Sequence, residues 1–338
     1  MTKVLLTGGS GFIATHILEL LIKRGYEVVI TVRTQEKASI IRKGRPEANI
    51  SFVIVPDIAQ PGAFDDAVKI PGLDAVLHTA SPFHFDFTDA KTEILDPAIE
   101  GTTSILKAIE EHAAGVKRVV LTSSFVSIIS EEGLEDPAKV FTEDDWNPVT
   151  YAEGATPGGH KGTAYRASKT LAERAAWRFM DDKKPSFDLV TICPPLVFGP
   201  VATTSAQPVN TSNGRFVQLV QGRWRDGILP GMGVNLFVDV RDAALAHVVA
   251  LEKPGAGGRR FLCASGRFCN REIAAVARAH FPELVDVLPP EDSPGAGYEE
   301  GVTPKCSNAR ATEVLGIDWI GIEKTSVDTI RSLLAVRA

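Results

Sequence analysis

Tyr165 and Lys169 stand four residues apart in a helical pattern, which places a phenol and an ammonium on one helix face. A free phenol has a pKa of about 10, too high for efficient proton transfer at neutral pH. A nearby ammonium favours the phenolate and lowers that pKa, as would an oxidised nicotinamide. A serine hydroxyl, such as those of Ser123-Ser124 at the end of a strand pattern, can then hydrogen-bond a carbonyl oxygen where negative charge develops. Alone, a Tyr–Lys pair at this spacing is more often structural than catalytic.

A second cluster opens the chain. Thr7-Gly8-Gly9-Ser10-Gly11-Phe12-Ile13-Ala14 lies between a strand pattern and a helix pattern. Glycines there permit a tight turn and let phosphate oxygens approach backbone N–H groups at the helix N-terminus. The spacing is G-x-x-G-x-x-A, with small Ala14 at the close-packing position. The next strand pattern ends at Arg33, followed by Lys37, where an enzyme using NAD typically carries an acidic residue for the ribose hydroxyl. A guanidinium suits a phosphate, so the combination favours NADPH. Asp57-Ile58 follows the third strand pattern, from where a side chain can reach an adenine. Thr79, Ala80 and Ser81 follow the fourth, small enough for backbone to pass close to a cofactor.

These residues need a frame to hold them. Lys3–Thr7, Glu27–Arg33, Ser51–Val55, Ala75–His78, Arg118–Thr122 and Asp188–Cys193 read as strands, rich in Val, Ile and Leu. Nearly continuous apolar runs such as Val4-Leu5-Leu6 and Val119-Val120-Leu121 suit a parallel sheet covered on both faces. Helical patterns lie between them; the first runs from about Phe12 to Arg24, with Gly25 at its stop. Strand and helix in alternation predict a doubly wound α/β domain. After Phe198-Gly199-Pro200 the chain turns polar and loop-rich. Phe237 to Asp242 then leads into an apolar helix, and Arg260–Ala264 reads as one more strand. The division expected is 1–199 with 236–264 as the dinucleotide-binding domain, and 200–235 with 265–338 as a smaller, discontinuous substrate domain.

Composition narrows the function. Hydrophobic residues make up 44% and charged residues 23% of 338, enough to fill a sizeable core. The formal charge of −6 offers no overall basic face for nucleic acid. No stretch approaches the roughly 18 apolar residues of a spanning helix, and the N-terminal apolar run is too short for a signal-peptide core. Four cysteines without a CxxC pair indicate neither zinc nor a disulfide framework, and none of the seven histidines shows ligand spacing. The expectation is a cytoplasmic protein without a metal.

Taken in order, Thr7–Ala14, Arg33, Ser123-Ser124, Tyr165-xxx-Lys169 and Pro194–Pro200 resemble the extended short-chain dehydrogenase/reductases. The segments His78-Thr79-Ala80-Ser81-Pro82-Phe83, Arg118 to Ser124, Trp146-Asn147-Pro148 and Asp239-Val240-Arg241-Asp242 narrow the likeness. They resemble the dihydroflavonol-reductase-like branch, most of all fungal NADPH-dependent ketone and methylglyoxal reductases. The resemblance covers nearly the whole chain and is weakest over 201–235. It implies a Rossmann-type sheet, NADPH as cofactor, and a small-molecule carbonyl substrate.

Residue by residue, the resemblance implies Tyr165 as proton donor, with Lys169 lowering its pKa and bonding the nicotinamide ribose. Ser124 would hold the carbonyl oxygen. Gly8, Gly9, Ser10, Gly11, Phe12 and Ile13 would cradle the pyrophosphate, Arg33 and Lys37 the 2′-phosphate, and Asp57 and Ile58 the adenine. Pro194 and Val197 would line the nicotinamide, Ser212 would reach the cofactor phosphates, and Phe83, Phe125 and Leu196 would wall an apolar substrate pocket. Two departures stand out. Glu100 occupies the region where a relay asparagine is often found, and the tryptophan–cysteine–tyrosine signature of cinnamoyl-CoA reductases is absent. His160 is expected in a solvent-facing loop. The rival readings are a nucleotide-sugar epimerase or dehydratase and a non-catalytic NADP sensor; monomer and homodimer both remain open.

Overall fold

The computed structural model describes residues 2–81, 86–202, 209–230, 234–294, 297 and 305–337. The first elements alternate: β1 (Lys3–Thr7), α1 (Phe12–Lys23), β2 (Glu27–Val32), α2 (Gln35–Lys43), β3 (Ile50–Ile54), α3 (Asp65–Val68) and β4 (Leu73–His78). Next come α4 (Asp96–His112), β5 (Arg118–Thr122), α5 (Glu131–Glu135), β6 (Val140–Phe141), α6 (Tyr151–Gly154) and α7 (Lys161–Lys183). The chain continues through β7 (Asp188–Cys193), β8 (Leu196–Phe198), α8 (Gly214–Val220), β9 (Leu236–Asp239), α9 (Val240–Glu252) and β10 (Arg259–Leu262). Last are β11 (Gly266–Arg267), α10 (Asn270–His280), β12 (Lys305–Cys306) and α11 (Ile322–Arg337).

Seven strands form one sheet in the order β10-β7-β5-β4-β1-β2-β3, and every neighbouring pair is parallel. The apolar runs explain why. Val4 and Leu6 point into the core under α1 and α9, whereas Leu5 points into the core under α4 and α7. Val120 and its neighbours Val119 and Leu121 divide between the same two cores. Each such side chain gains about 1.5–3 kcal/mol from burial, which a one-faced sheet could not supply along a continuous run. Strand order reverses between β1 and β4, so this Rossmann-type sheet opens its crevice at their carboxyl ends.

The strand ends differ from the sequence reading by one or two residues. The run read as Arg260–Ala264 pairs over Arg259–Leu262, and β2 stops before Arg33. A separate small sheet, β11-β9-β8, and the two-stranded β12-β6 carry too few residues to show a period. A second core gathers around Phe198, whose ring meets Phe216, Phe237 and Phe268 at 5.2, 5.9 and 4.8 Å between centroids. Trp224, Ile273, Leu284 and Ile330 complete it, so α8, α10 and α11 pack as one unit beyond the small sheet. Among the described residues no helix is long and apolar enough to cross a membrane.

Candidate active site

The glycine turn sits where strand order reverses. Gly8 has φ +67° and its missing Cβ would lie 3.0 Å from Ala80 Cα, while a Cβ on Gly9 would occupy the position of Ile30 Cγ2. Only glycines let β1 turn this close to its neighbours. Gly9 N donates to Thr31 O (3.0 Å) and Gly11 N to Gly8 O (2.8 Å), which fixes the turn. Gly11 then caps α1 without a side-chain bond, and the first turn holds no acidic residue. The positive end of the helix dipole is thus offered to an anion by backbone alone.

The end of β4 is stitched to β1 through Thr7. Its Oγ1 accepts from Thr79 N and Ala80 N, both at 3.1 Å, and lies 2.9 Å from His78 Nδ1. With those two donors placed, the hydroxyl proton points to Nδ1 and leaves the His78 proton on Nε2, which is buried without a hydrogen-bond partner among the described residues, in a ring whose centroid lies 5.5 Å from that of Phe64. Burial pushes the His78 imidazole down to about 3, and the Lys169 charge adds to the effect. His78 is a neutral structural residue beside the crevice.

Helix α7 supplies the proposed acid–base pair. Its N-cap is His160, whose ring accepts from Gly162 N at 3.2 Å, so this residue has a definite role where the sequence suggested only an exposed loop. Ser124, the residue that follows Ser123 at the end of β5, stands near enough to Tyr165 for its hydroxyl to favour the phenolate. One turn on, Lys169 Nζ donates to Ser81 Oγ at 3.0 Å. The phenol, the ammonium and the hydroxyl meet at the ends of β4 and β5.

Burial raises the Tyr165 phenol above its ordinary value of 10.0, and the nearby Ser124 hydroxyl only partly offsets this. The expected lowering by Lys169 is therefore not what the chain's own groups produce: the ammonium is directed to Ser81, and desolvation dominates. Lys169 is itself pulled down to about 8 by burial. At neutral pH the pair is a protonated phenol beside an ammonium.

Other expected site residues fall at different depths. Val197 is buried with Val238, Val240 and Ala243 in a cluster against which Phe12 and Ile13 pack, so it lies beside the glycine turn. Pro194 is buried, and its carbonyl accepts from Phe125 N at 2.9 Å. Ser212 is half-buried ahead of α8, next to Asn213, whose Nδ2 holds Gly199 O at 2.8 Å. Arg33 is exposed past the end of β2, Lys37 is half-buried, and neither enters an ion pair among the described residues. Asp57 spends both oxygens on its own turn, accepting from Ala59 N and Gln60 Nε2. Those bonds, with Arg33 adding a smaller pull, hold its carboxyl below the usual range. Ile58 packs against α4 at Gly101.

Among the substrate-wall residues, Leu196 is half-buried at the start of β8. Phe125 is 1% exposed, packed with Ile128, Cys193 and edge-on to Phe141 at 6.3 Å. It buttresses the Ser124 segment from within the core. Phe83 lies outside the described residues. Glu100 is exposed on α4.

Two residues that the sequence reading did not single out stand behind this site. Glu173, a further turn along α7, is 1% exposed and pairs with Arg260 of β10 at 2.7 Å. The spacing Tyr165, Lys169, Glu173 was a usable hint for the first; Arg260 had none. Arg260 also stacks over Trp146 at 3.6 Å and donates to the carbonyls of Glu143 and Asp145, each at 2.7 Å. An open groove of about 550 Å³ runs along this outer strand, away from Tyr165, with Trp146, Trp177 and Arg310 among its walls. Its charges close the sheet edge: Leu262 N donates to Glu143 (3.0 Å) and Arg310 to Arg260 O (3.4 Å).

Comparison with known proteins adds identity. Residues 4–264 match the NAD dependent epimerase/dehydratase family. Ketoreductase azaE of Aspergillus niger is 45% identical over 98% of this chain and 97% of its own. The NADPH-dependent methylglyoxal reductase GRE2 of Saccharomyces cerevisiae is 34% identical over 98% of both chains. The crystal structure of yeast methylglyoxal/isovaleraldehyde reductase Gre2 complexed with NADPH superposes with a TM-score of 0.89, at 32% identity and 99% coverage of both.

Proposed function

The chain belongs to the NAD dependent epimerase/dehydratase family, and on that premise we propose that it is an NADPH-dependent reductase of hydrophobic ketones or aldehydes with Tyr165 as proton donor. The observation that carries this reading is the 3.0 Å bond from Lys169 Nζ to Ser81 Oγ, which brings the helix bearing Tyr165, with Ser124 beside the phenol, to the crevice the glycine turn opens.

The residues present fit a phosphorylated dinucleotide. Gly8, Gly9 and Gly11 leave no side chain over the N-terminus of α1, and Ser10, Phe12 and Ile13 continue that cradle. Arg33 and Lys37 carry positive charge not used in an ion pair among the described residues, at the end of β2 where a 2′-phosphate would be read. Asp57 and Ile58 would flank the adenine, Thr79, Ala80 and Ser81 the backbone side of the crevice, Pro194 and Val197 the nicotinamide, and Ser212 a phosphate. Leu196 and Phe83 would give the substrate an apolar wall, with Phe125 packed in the core behind it.

When bound, NADPH supplies a hydride from nicotinamide C4. Ser124 Oγ hydrogen-bonds the carbonyl oxygen as negative charge grows on it, where a fixed donor contributes most. Tyr165 Oη delivers a proton to that same oxygen, and burial keeps this proton in place until it is needed. The Lys169 ammonium, held by Ser81, would orient the ribose from the Tyr165 side of the crevice.

The family name includes epimerases, but relatives spanning nearly the whole chain are named reductases, and Arg33 suits NADP better than NAD. A sensor without turnover would have no use for the joined Ser124, Tyr165 and Lys169. The division into 1–199 with 236–264 and 200–235 with 265–338 stays part of the proposal, supported by the separate aromatic core around Phe198. So do a small-molecule substrate without nucleic-acid or membrane partners, a monomer or homodimer, and a cytoplasmic location. The test is NADPH oxidation across diketones, ketoesters, aryl ketones and aldehydes. Consumption matched by alcohol formation is expected; a blank across all four classes overturns the reading.

A further inference from the structure

Glu173 is fully buried, carries a charge, and belongs to none of the steps above. Its carboxylate gathers four side chains from three segments. Ser123 Oγ and Ser127 Oγ each lie 2.5 Å from Oε2, Thr191 Oγ1 of β7 lies 2.7 Å from Oε1, and Arg260 of β10 reaches Oε1 at 2.7 Å and Oε2 at 3.2 Å. Burial opposes the charge, but Arg260 and the hydroxyls outweigh it and hold the carboxyl below its usual range. A buried carboxylate is tolerated only when paired and hydrogen-bonded in this way.

The placement of these bonds matters. Ser123 and Ser127 bracket Ser124 on the turn that leaves β5, and Ser127 Oγ also lies 2.7 Å from the Ser124 carbonyl oxygen. Glu173 stands two turns from Tyr165 on the same rigid helix. Thus one carboxylate joins the helix bearing the phenol to both sides of the serine that meets it. We infer that Glu173 is a positioning residue: it clamps the Ser123–Ser127 turn to α7, and so sets the reach of Ser124 Oγ to Tyr165 Oη. Arg260 is what allows the clamp to be anionic, and its own bonds to the Glu143 and Asp145 carbonyls anchor it to the sheet edge. The inference rests on the reductase reading for its effect on turnover, but the clamp itself does not.

Glu173→Gln keeps the shape and removes the charge. In that variant the tyrosinate transition of Tyr165, isolated by subtracting the absorbance titration of a Tyr165→Phe partner in each background, should move to higher pH as the Ser124 hydroxyl moves away from the phenol. With NADPH and an active carbonyl, kcat should fall about 10- to 100-fold, the range expected for a misplaced reacting group, while KM for NADPH stays near the parent value. If Glu173→Gln fails to fold, the double variant Ser123→Ala with Ser127→Ala keeps the Glu173–Arg260 pair and removes the clamp's hydroxyls; the same two changes are expected. A folded variant with the parent tyrosinate transition and parent kcat overturns the inference. Because the titration needs no turnover, an inactive parent protein would count against the reductase reading alone.

Discussion

Lys169 Nζ lies 3.0 Å from Ser81 Oγ, so the helix bearing Tyr165 is bonded to the strand end that faces the glycine turn. The two sides of the crevice are β4, fixed to β1 through Thr7, and α7, fixed to the end of β5 through the bond from Ser123 to Glu173. Lys169 bridges them. An acid–base pair held from both sides has little freedom to drift, which is what efficient proton transfer requires.

Tyr165→Phe removes the proposed proton while leaving the ring to pack. Turnover should fall by roughly 10²–10⁴, the usual worth of a positioned acid, with NADPH binding largely intact. Ser124→Ala should lower kcat on the order of a hundredfold. Steady-state rates together with NADPH fluorescence titration check both; either variant turning over at the parent rate refutes its assignment.

Arg33→Ala should raise KM for NADPH by about tenfold or more, the loss of one charge-assisted phosphate contact, and leave KM for NADH nearly unchanged. Equal changes with both cofactors would mean that Arg33 does not read the phosphate.

The Lys169 ammonium titrates at about 8 because burial disfavours its charge. It is charged below that pH and neutral above it, so kcat/KM for carbonyl reduction should fall as pH rises through about 8. In a Lys169→Met variant most activity should disappear, and the residue of it should lack this alkaline limb. A limb that persists at the same pH points to another group.

Acid should destabilise the fold through two buried imidazoles. Burial pushes His78 down to about 3 and His247 to about 4 from an ordinary 6.5. Between those values and 6.5 the unfolded chain binds protons that the folded chain does not, so stability is fully present above 6.5 and is lost as pH falls. Asp242, pushed up to about 6 by burial, acts in the opposite sense between 6 and its ordinary 3.8. His247→Gln should give a shallower fall of Tm from pH 6.5 to about 4; an unchanged slope would remove His247 from the account.

How much was legible beforehand depends on distance along the chain. The residue at each step of Val4-Leu5-Leu6 faces an opposite core, so the apolar run itself announced a sheet covered on both sides. The glycine turn was legible because backbone that turns so close to Ala80 and Ile30 excludes a Cβ. The reach of Phe125 was not: its type suited a pocket wall, yet its neighbours Ile128 and Phe141 draw it into the core. The sense of the Tyr165 shift also escaped, since burial is a property of everything packed around a group.

Local geometry is written in the order of the residues: which long apolar runs are strands, where the glycine turn falls, and that Tyr165, Lys169 and Glu173 share a helix face. These follow from fixed backbone periods and from the few conformations glycine alone adopts. That Arg260, from the last strand of the sheet, neutralises Glu173, and that Ser123 and Ser127 reach the same carboxylate, follows only from the folded sheet. Such pairs arise from strand order and sheet closure, and no local period encodes which distant residue a buried charge will find.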